Sequence, residues 1–588
     1  MAGLCFSLLF VLLAGSCGPE KNEKGSVKVY RATRRHDLVG GPAALAEVGD
    51  FILENDKVRL AILQPGNSVG PGIFGGSLID ADLNRPQASY QAGHGIDQFA
   101  EMFPSVNLLV PNPTSQEVVT GPNWEGPPGD SPEKACPAIW PTDKKGDPLP
   151  KDSFAVVCAS GVGDNYLEAL SILGVFIGEA LFQTDYILRQ GAQYVEVVTS
   201  IEAGDGDPSV IRPMCPFRRG DELGHEPQSV LEAIVGTETY ESGLLSGDFL
   251  LFGRRLEVFV PGLGFNEGSY MMELILRGGD TLNNPVAFPY MAGVGDKVSY
   301  ALISERTRAE DPWGVCGDNQ DEPSKLLVPI ETGAFTFVFT HWWRCPVGNP
   351  GCQGGGKLFY RRYFILGEGD VASILDIAHK IWEEPVGKVR GVVYDRNPGK
   401  PVPHSKVYVL RDPVASEWGE HYPKADESFC DALRGDKGRV VSFETLESCA
   451  RLASVSQDFD TGQLGVINEI RADRGDDPVE DGKFHATLPP GSYYVVGHKK
   501  GRNPSDAQRI VIRAGEKQGV GIPLLPQGRV IYDVRDERGE RTPAKITIIG
   551  DCKDAQGEDV CGCFPVTDPT CAGDGIAESG RQILEFGG

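Results

Sequence analysis

The sequence predicts an all-β chain: one large antiparallel β-sandwich, a single linker helix, then one complete and one incomplete small β-sandwich. Three observations carry this. Turn formers are abundant, with 74 Gly and 43 Pro in 588 residues, and they punctuate short Val/Ile/Tyr/Phe runs. Only Asp370 to about Glu384 shows a helical stripe. A strand–turn–strand unit at 387–409 also recurs at 528–548.

The N-terminal element is an address. Phe6 to Ala14 is an apolar run too short to span a bilayer, followed by small residues, so residues 1–16 read as a signal peptide. Leu13-Ala14-Gly15-Ser16-Cys17 resembles a bacterial lipobox. The resemblance implies that Cys17 is lipidated and that residues 17–26 form a tether. It places the protein in the bacterial cell envelope, held to the membrane by its N-terminal lipid. Residue 18 is Gly, not the Asp that retains lipoproteins in the inner membrane, so the outer membrane is expected.

Residues 27–367 then read as strand after strand. Phe51 to Ile62 is a hairpin turning at Asn55-Asp56, and Thr184 to Val197 is a second turning at Gly191. Glu54-Asn-Asp-Lys-Val-Arg59, Gly75-Gly-Ser-Leu-Ile-Asp80 and Tyr186-Ile-Leu-Arg-Gln-Gly-Ala-Gln-Tyr-Val-Glu-Val197 follow in order. Together they resemble the β-supersandwich of galactose mutarotase-like and glycosidase accessory domains. A candidate ligand cleft would involve His94 and Asp97, with His341, Trp342, Trp343 and Arg344; strand alternation leaves only one of the two Trp rings to stack on a sugar, and core packing is the alternative for them. Asp80 with Asp82, and Asp458 with Asp460, place alternate oxygen ligands as calcium prefers. No other cofactor is expected.

The helix expected over 370–384 has Asp370 as N-cap and an apolar stripe of Ile374, Leu375, Ile377, Ala378, Ile381 and Trp382. Gly387-Lys-Val-Arg-Gly-Val-Val-Tyr-Asp395 and Leu488-Pro-Pro-Gly-Ser-Tyr493 resemble the start and end of a carboxypeptidase regulatory-like, or prealbumin-like, β-sandwich. This domain would span 387–525, with an insertion at 411–480. Gly528, Val530, Val534, Asp536, Gly539, Pro543, Lys545 and Ile546 repeat its opening in 528–588 without the closing hairpin. The chain is therefore expected to be the upstream part of something longer. Modules in this order resemble the N-terminal half of large lipoproteins whose C-terminal half is a PHP-type metallohydrolase.

Fourteen cysteines, less Cys5 in the leader and Cys17 at the anchor, leave twelve, as suits an oxidising compartment. Spacing suggests Cys136 with Cys158, Cys345 with Cys352, and Cys430 with Cys449. Cys552, Cys561, Cys563 and Cys571 would form two more bridges, leaving Cys215 and Cys316 as a long-range pair.

The net charge is −26, and no Lys/Arg block is long enough to track a phosphate backbone, so nucleic acid is not an expected partner. Gly66-Asn-Ser68-Val-Gly70 has the spelling of a nucleophile elbow, but Pro71-Gly72 forbids the helix that must follow. Gly367-Glu-Gly-Asp-Val-Ala372 has a dinucleotide spelling with two carboxylates where a pyrophosphate would sit, so helix capping explains it better. The nine His include no His-x-His and no His-Glu-x-x-His. The expected role is binding of glycan or an envelope protein, without a catalytic constellation.

Overall fold

The computed structural model describes residues 26–85, 95–106, 109–120, 136–165, 180–203, 243–253, 255–261, 265, 287–288, 290–304, 326–331, 336–344, 358–397, 399–412, 440–441, 466–471, 482–499, 502–525, 533–541, 546–549 and 583–586. Cys17, His94, Asp458, Asp460 and ten of the twelve cysteines read as paired lie outside them: Cys215, Cys316, Cys345, Cys352, Cys430, Cys449, Cys552, Cys561, Cys563 and Cys571.

The protein is built of β-strands in mostly antiparallel sheets, with a single α-helix among the described residues. Seventeen strands form one hydrogen-bonded sheet that folds back on itself. One layer runs through β1 (Lys28–Arg31), β2 (Phe51–Glu54), β3 (Val58–Ile62), β4 (Leu78–Leu83), β5 (Glu101–Val106), β10 (Gly243–Leu251), β16 (Thr336–Arg344), β15 (Leu326–Glu331) and β12 (Ala287–Phe288). The other runs through β6 (Leu109–Thr120), β7 (Phe154–Asn165), β8 (Ala180–Arg189), β9 (Tyr194–Ala203), β17 (Leu358–Gly367), β14 (Ser299–Ser304), β13 (Tyr290–Val294) and β11 (Glu257–Phe259). Between them, Leu53, Leu60, Ile62 and Leu250 of the first layer meet Val157, Leu188, Val197, Leu302 and Phe364 of the second.

Local chemistry explains the hairpins. Asn55 Oδ1 accepts the amides of Lys57 and Val58 at 2.8 and 2.9 Å, closing an Asx turn between β2 and β3. Gly191, between β8 and β9, has φ of 68°, the left-handed region that favours glycine.

Among the described residues, three covers lie on the outer faces of this sandwich. Residues 32–46 lie over Ile52, Ala61, Leu63 and Ile79. A segment from Cys136 to Leu149 lies over β7, β8 and β9, where Ile139, Trp140 and Leu149 pack on Phe154, Val156, Ile187 and Val198. Cys136 and Cys158 are joined by a disulfide that pins this second cover. Closing a loop across a sequence separation of 22 removes about 3 kcal/mol of unfolded-state entropy.

The third cover is α1 (Val371–Ile381), with Asp370 as its N-cap accepting the Ser373 amide at 2.9 Å. Behind it stands a smaller sandwich. Its sheets are β22 (Lys483–Leu488), β18 (Gly387–Asp395) and β25 (Lys517–Leu524), and β20 (Val440–Val441), β24 (Ala507–Ile512), β23 (Gly491–His498), β19 (Lys406–Arg411) and β21 (Val466–Arg471). The β18–β25 pairing is parallel.

The repeated turn is also present. In the first copy the Asp395 amide donates to Lys400 O at 2.7 Å and Gly399 has φ of 82°. In the second the Asp536 amide donates to Glu540 O at 2.9 Å and Gly539 has φ of 78°. A one-residue shortening preserves the hairpin: Tyr394 bridges Pro401, and Arg535 bridges Arg541. Next in the second copy comes β26 (Ile546–Ile549), the counterpart of β19, paired with β27 (Ile583–Phe586) in a two-stranded sheet. Strand β19 is flanked on both sides, by β21 and β23. Among the described residues β26 pairs with β27 alone, and pairing of only two strands is marginal in water, so amides of 546–549 should exchange hydrogen at least ~100-fold faster than those of 406–411. Equal protection of the two segments by mass spectrometry would contradict this.

Candidate functional site

Most of the buried polar side chains among the described residues belong to the large sandwich. The first cluster lies within the interlayer core. On β17, alternation directs Tyr360, Arg362, Phe364 and Leu366 to one face, and all four are buried. Arg362 reaches across to Asp248 of β10, Nε to Oδ2 at 2.7 Å and Nη2 to Oδ1 at 2.5 Å, with neither side chain exposed. Its Nη1 donates to Thr199 Oγ1 at 2.8 Å, and its guanidinium lies 4.5 Å from the Tyr360 ring centre.

Three tyrosines of one layer donate to backbone carbonyls of the other. Tyr186 binds Gly76 O at 2.8 Å, Tyr300 binds Ala81 O at 2.8 Å, and Tyr360 binds Gly247 O at 3.0 Å. Burial raises the pKa of all three phenols, so they remain donors at any physiological pH. Near Tyr186, Glu101 of β5 accepts the Gly72 amide at 2.9 Å and the Ser77 hydroxyl at 2.7 Å. Burial raises its carboxyl above the usual range, and those two donors oppose the shift. The Ser68 loop passes above this carboxylate, and Ser68 Oγ donates to Gly70 O at 3.2 Å.

The second cluster comprises Asp80, Asp82 and Asp97. Asp80 accepts the amides of Leu45 and Ala46 at 2.7 and 3.1 Å. Asp82 accepts the amides of Leu83 and Ile96 and pairs with Arg85 at 3.0 Å. Asp97 Oδ1 accepts the Ala81 amide at 2.9 Å, while its Oδ2 is buried and has no hydrogen-bond partner among the described residues. The cover at 39–46 seals the group: Gly95 and Asp97 donate to Val39 O and Gly40 O at 3.2 Å, and Ala43 donates to Asp97 O at 3.1 Å. Gly41, at φ of 146°, lies so close that an added Cβ would overlap the Asp97 backbone.

Burial pushes the Asp80 carboxyl up to about 7, with Asp50 adding to the shift and the two amides opposing it. Burial and then the neighbouring Asp80 raise Asp97 well above the carboxylate range. Burial thus favours the protonated form of both carboxyls. Among the described residues no group of three or more His, Cys, Asp or Glu is placed to hold a metal.

Of the candidate cleft, His94 lies outside the described residues, and Asp97 and the strand carrying His341 to Arg344 lie toward opposite ends of β10. His341, Trp342, Trp343 and Arg344 form the end of β16, where His341 stands opposite Ser246 of β10. Ser246 in turn faces Val106 of β5, whereas Leu251 faces Glu101 at the other end of that strand. Five strand steps of roughly 3.3 Å separate the two ends, about 17 Å, and Asp97 lies beyond the farther one. Sequence reading missed Arg362, Asp248 and the three tyrosines. One signal was present: Leu358 to Leu366 carries a charge, Arg362, on the alternation that otherwise holds Tyr360, Phe364 and Leu366.

No family model matches the chain, and no curated protein matches it. Among solved structures it is similar to a GH36 α-galactosidase, a variant of AgaA from Geobacillus stearothermophilus in complex with stachyose, with 7% identity over 59% of this chain and 45% of that one and a TM-score of 0.27. It is similar to Slr1438 of Synechocystis sp. PCC 6803, with 10% identity over 55% of this chain and 98% of that one and a TM-score of 0.23. It is also similar to shaft pilin spaA from Lactobacillus rhamnosus GG, with 11% identity over 34% of this chain and 75% of that one and a TM-score of 0.15. Likeness at these scores carries no argument about activity, and the match spans less than half the length of the galactosidase.

Proposed function

We propose that this chain is a lipid-anchored protein of the bacterial cell envelope, with β-sandwich domains that bind glycan or a partner protein and perform no chemistry of their own. The carrying observation is the apolar run that ends in Leu13-Ala14-Gly15-Ser16-Cys17 ahead of a hydrophilic tether. The non-catalytic part is supported by how the perturbed carboxylates are used. Asp80, Asp97, Glu101 and Asp248 are all buried. Each receives backbone amides, a hydroxyl or an arginine of the protein itself.

Expression in a bacterial host with labelled palmitate tests the anchor. Label should enter the wild-type chain and be lost from Cys17→Ser, and a labelled, membrane-bound Cys17→Ser protein would sink the proposal. Incubating the detergent-solubilised full chain with purified envelope glycan tests the binding role. Co-elution without new reducing ends is expected, and release of reducing ends would replace binding with hydrolysis.

A second reading takes the chain as the accessory half of a longer PHP-type metal-dependent hydrolase. The repeated hairpin turn at 395–401 and 535–541 supports tandem accessory modules. A reading frame that continues into a His-x-His strand would favour this version.

A further inference from the structure

We propose that α1 is not a linker but the shared core of a weld, so that the large and small sandwiches form one rigid, cooperatively folded body. The apolar residues around the helix make a single cluster drawn from three sources. Tyr290, Ala301, Ile303 and Ile365 come from the outer face of the large sandwich, and Val371, Ile374, Leu375 and Ala378 from the helix. Tyr408, Leu410, Tyr494 and Val496 come from the outer face of the small sandwich. A helix that only spanned two independent bodies would bury one stripe against one of them. This one buries Ile374 and Ala378 completely within a cluster to which both bodies contribute.

Directional bonds run the same way. Asp370 caps the helix through Oδ1 to the Ser373 amide, while its Oδ2 accepts the Arg471 amide of β21 at 3.0 Å. Its carbonyl accepts the Ser299 hydroxyl of β14 at 2.8 Å. One residue thus ties the helix start to a strand in each sandwich. Arg471 also reaches back to Asp296, beside β14, at 3.1 Å. One turn into the helix, Asp376 Oδ1 accepts both the amide and the hydroxyl of Thr487 on β22, at 2.8 and 2.6 Å. That hydroxyl, with its proton given to Asp376, accepts from His379 Nδ1 at 3.0 Å. Inter-domain contacts within a chain are usually small and polar and leave the domains free to move, whereas a large apolar one fixes them.

The test is to cut the connection and ask whether the pieces part. A specific protease site inserted at Pro385, in the short exposed link between α1 and β18, gives a full chain that can be cleaved after folding. The two pieces should co-elute on gel filtration, with denaturing non-reducing electrophoresis showing no disulfide between them. Separation of the pieces would overturn the proposal. A second measurement needs no insertion. In the uncut chain, Leu375→Ala should lower the denaturation midpoints of the large-sandwich strands (58–62) and the small-sandwich strands (389–393) together, read by hydrogen exchange. A shift confined to one set would overturn the weld as surely as separated pieces.

Discussion

Replacing Asp248 with alanine should destabilise the protein by about 3–5 kcal/mol, because it strands the Arg362 guanidinium in the interlayer core. Both partners have no exposed surface, and the pair is bidentate. Removing the carboxylate leaves a cation that cannot reach water and cannot shed its proton. The Thr199 hydroxyl and Val197 carbonyl, at 2.8 and 3.3 Å, satisfy only Nη1. Replacing both members with apolar residues of similar size, Arg362→Met with Asp248→Leu, should cost far less than the single change. The desolvation penalty of two charges then disappears together with their attraction. Urea unfolding at fixed pH compares the three chains. A loss below about 1 kcal/mol for Asp248→Ala would mean that water reaches the pair and that the interlayer core is open there.

The same pair shows where sequence reading stops. Local features were legible because their causes are local: the Asx turn at Asn55, the N-cap at Asp370 and the Cys136–Cys158 staple each depend on residues close in the chain. The Arg362–Asp248 pair joins positions 114 residues apart, and no periodicity announces such a partner. The helix at 371–381 was legible as a helix, with its stripe and its cap, but which surfaces it covers depends on the folded arrangement of β14, β19 and β23. Asp80 and Asp82, read from their spacing as alternate oxygen ligands, stand on β4, where strand alternation sets both on one side. What the sequence could not disclose is that residues 39–46 fold back over them and supply backbone amides to Asp80. The parallel β18–β25 pairing was equally hidden, because parallel neighbours are distant in sequence and no turn marks them.

The sealed acids should make the protein less stable as pH rises through the neutral range, and Asp97→Asn should flatten that dependence. In the folded chain burial holds Asp80 at about 7 rather than the ordinary 3.8, and burial, then Asp80 itself, raises Asp97 well above its ordinary value. The unfolded chain has neither constraint. Below about pH 4 both states carry the proton and the pair costs nothing. Between about pH 4 and 7 the unfolded chain releases it while the folded chain keeps it, so unfolding is favoured progressively. A shift of this size on Asp80 alone is linked to roughly 4 kcal/mol, lost by about pH 8 relative to pH 4. Carboxylates with lowered values, such as Asp37, which accepts the amides of Thr33 and Arg34, contribute with the opposite sign. The diagnostic quantity is therefore the difference between variant and wild type. Asp97→Asn keeps an oxygen for the Ala81 amide and carries no charge at any pH, so the proton that burial and Asp80 favour on Asp97 no longer couples folding to pH. Its stability relative to wild type should rise by about 1 kcal/mol per pH unit between about pH 5 and 7, followed by urea midpoints. Parallel pH profiles for the two chains would show that burial does not raise the Asp97 carboxyl.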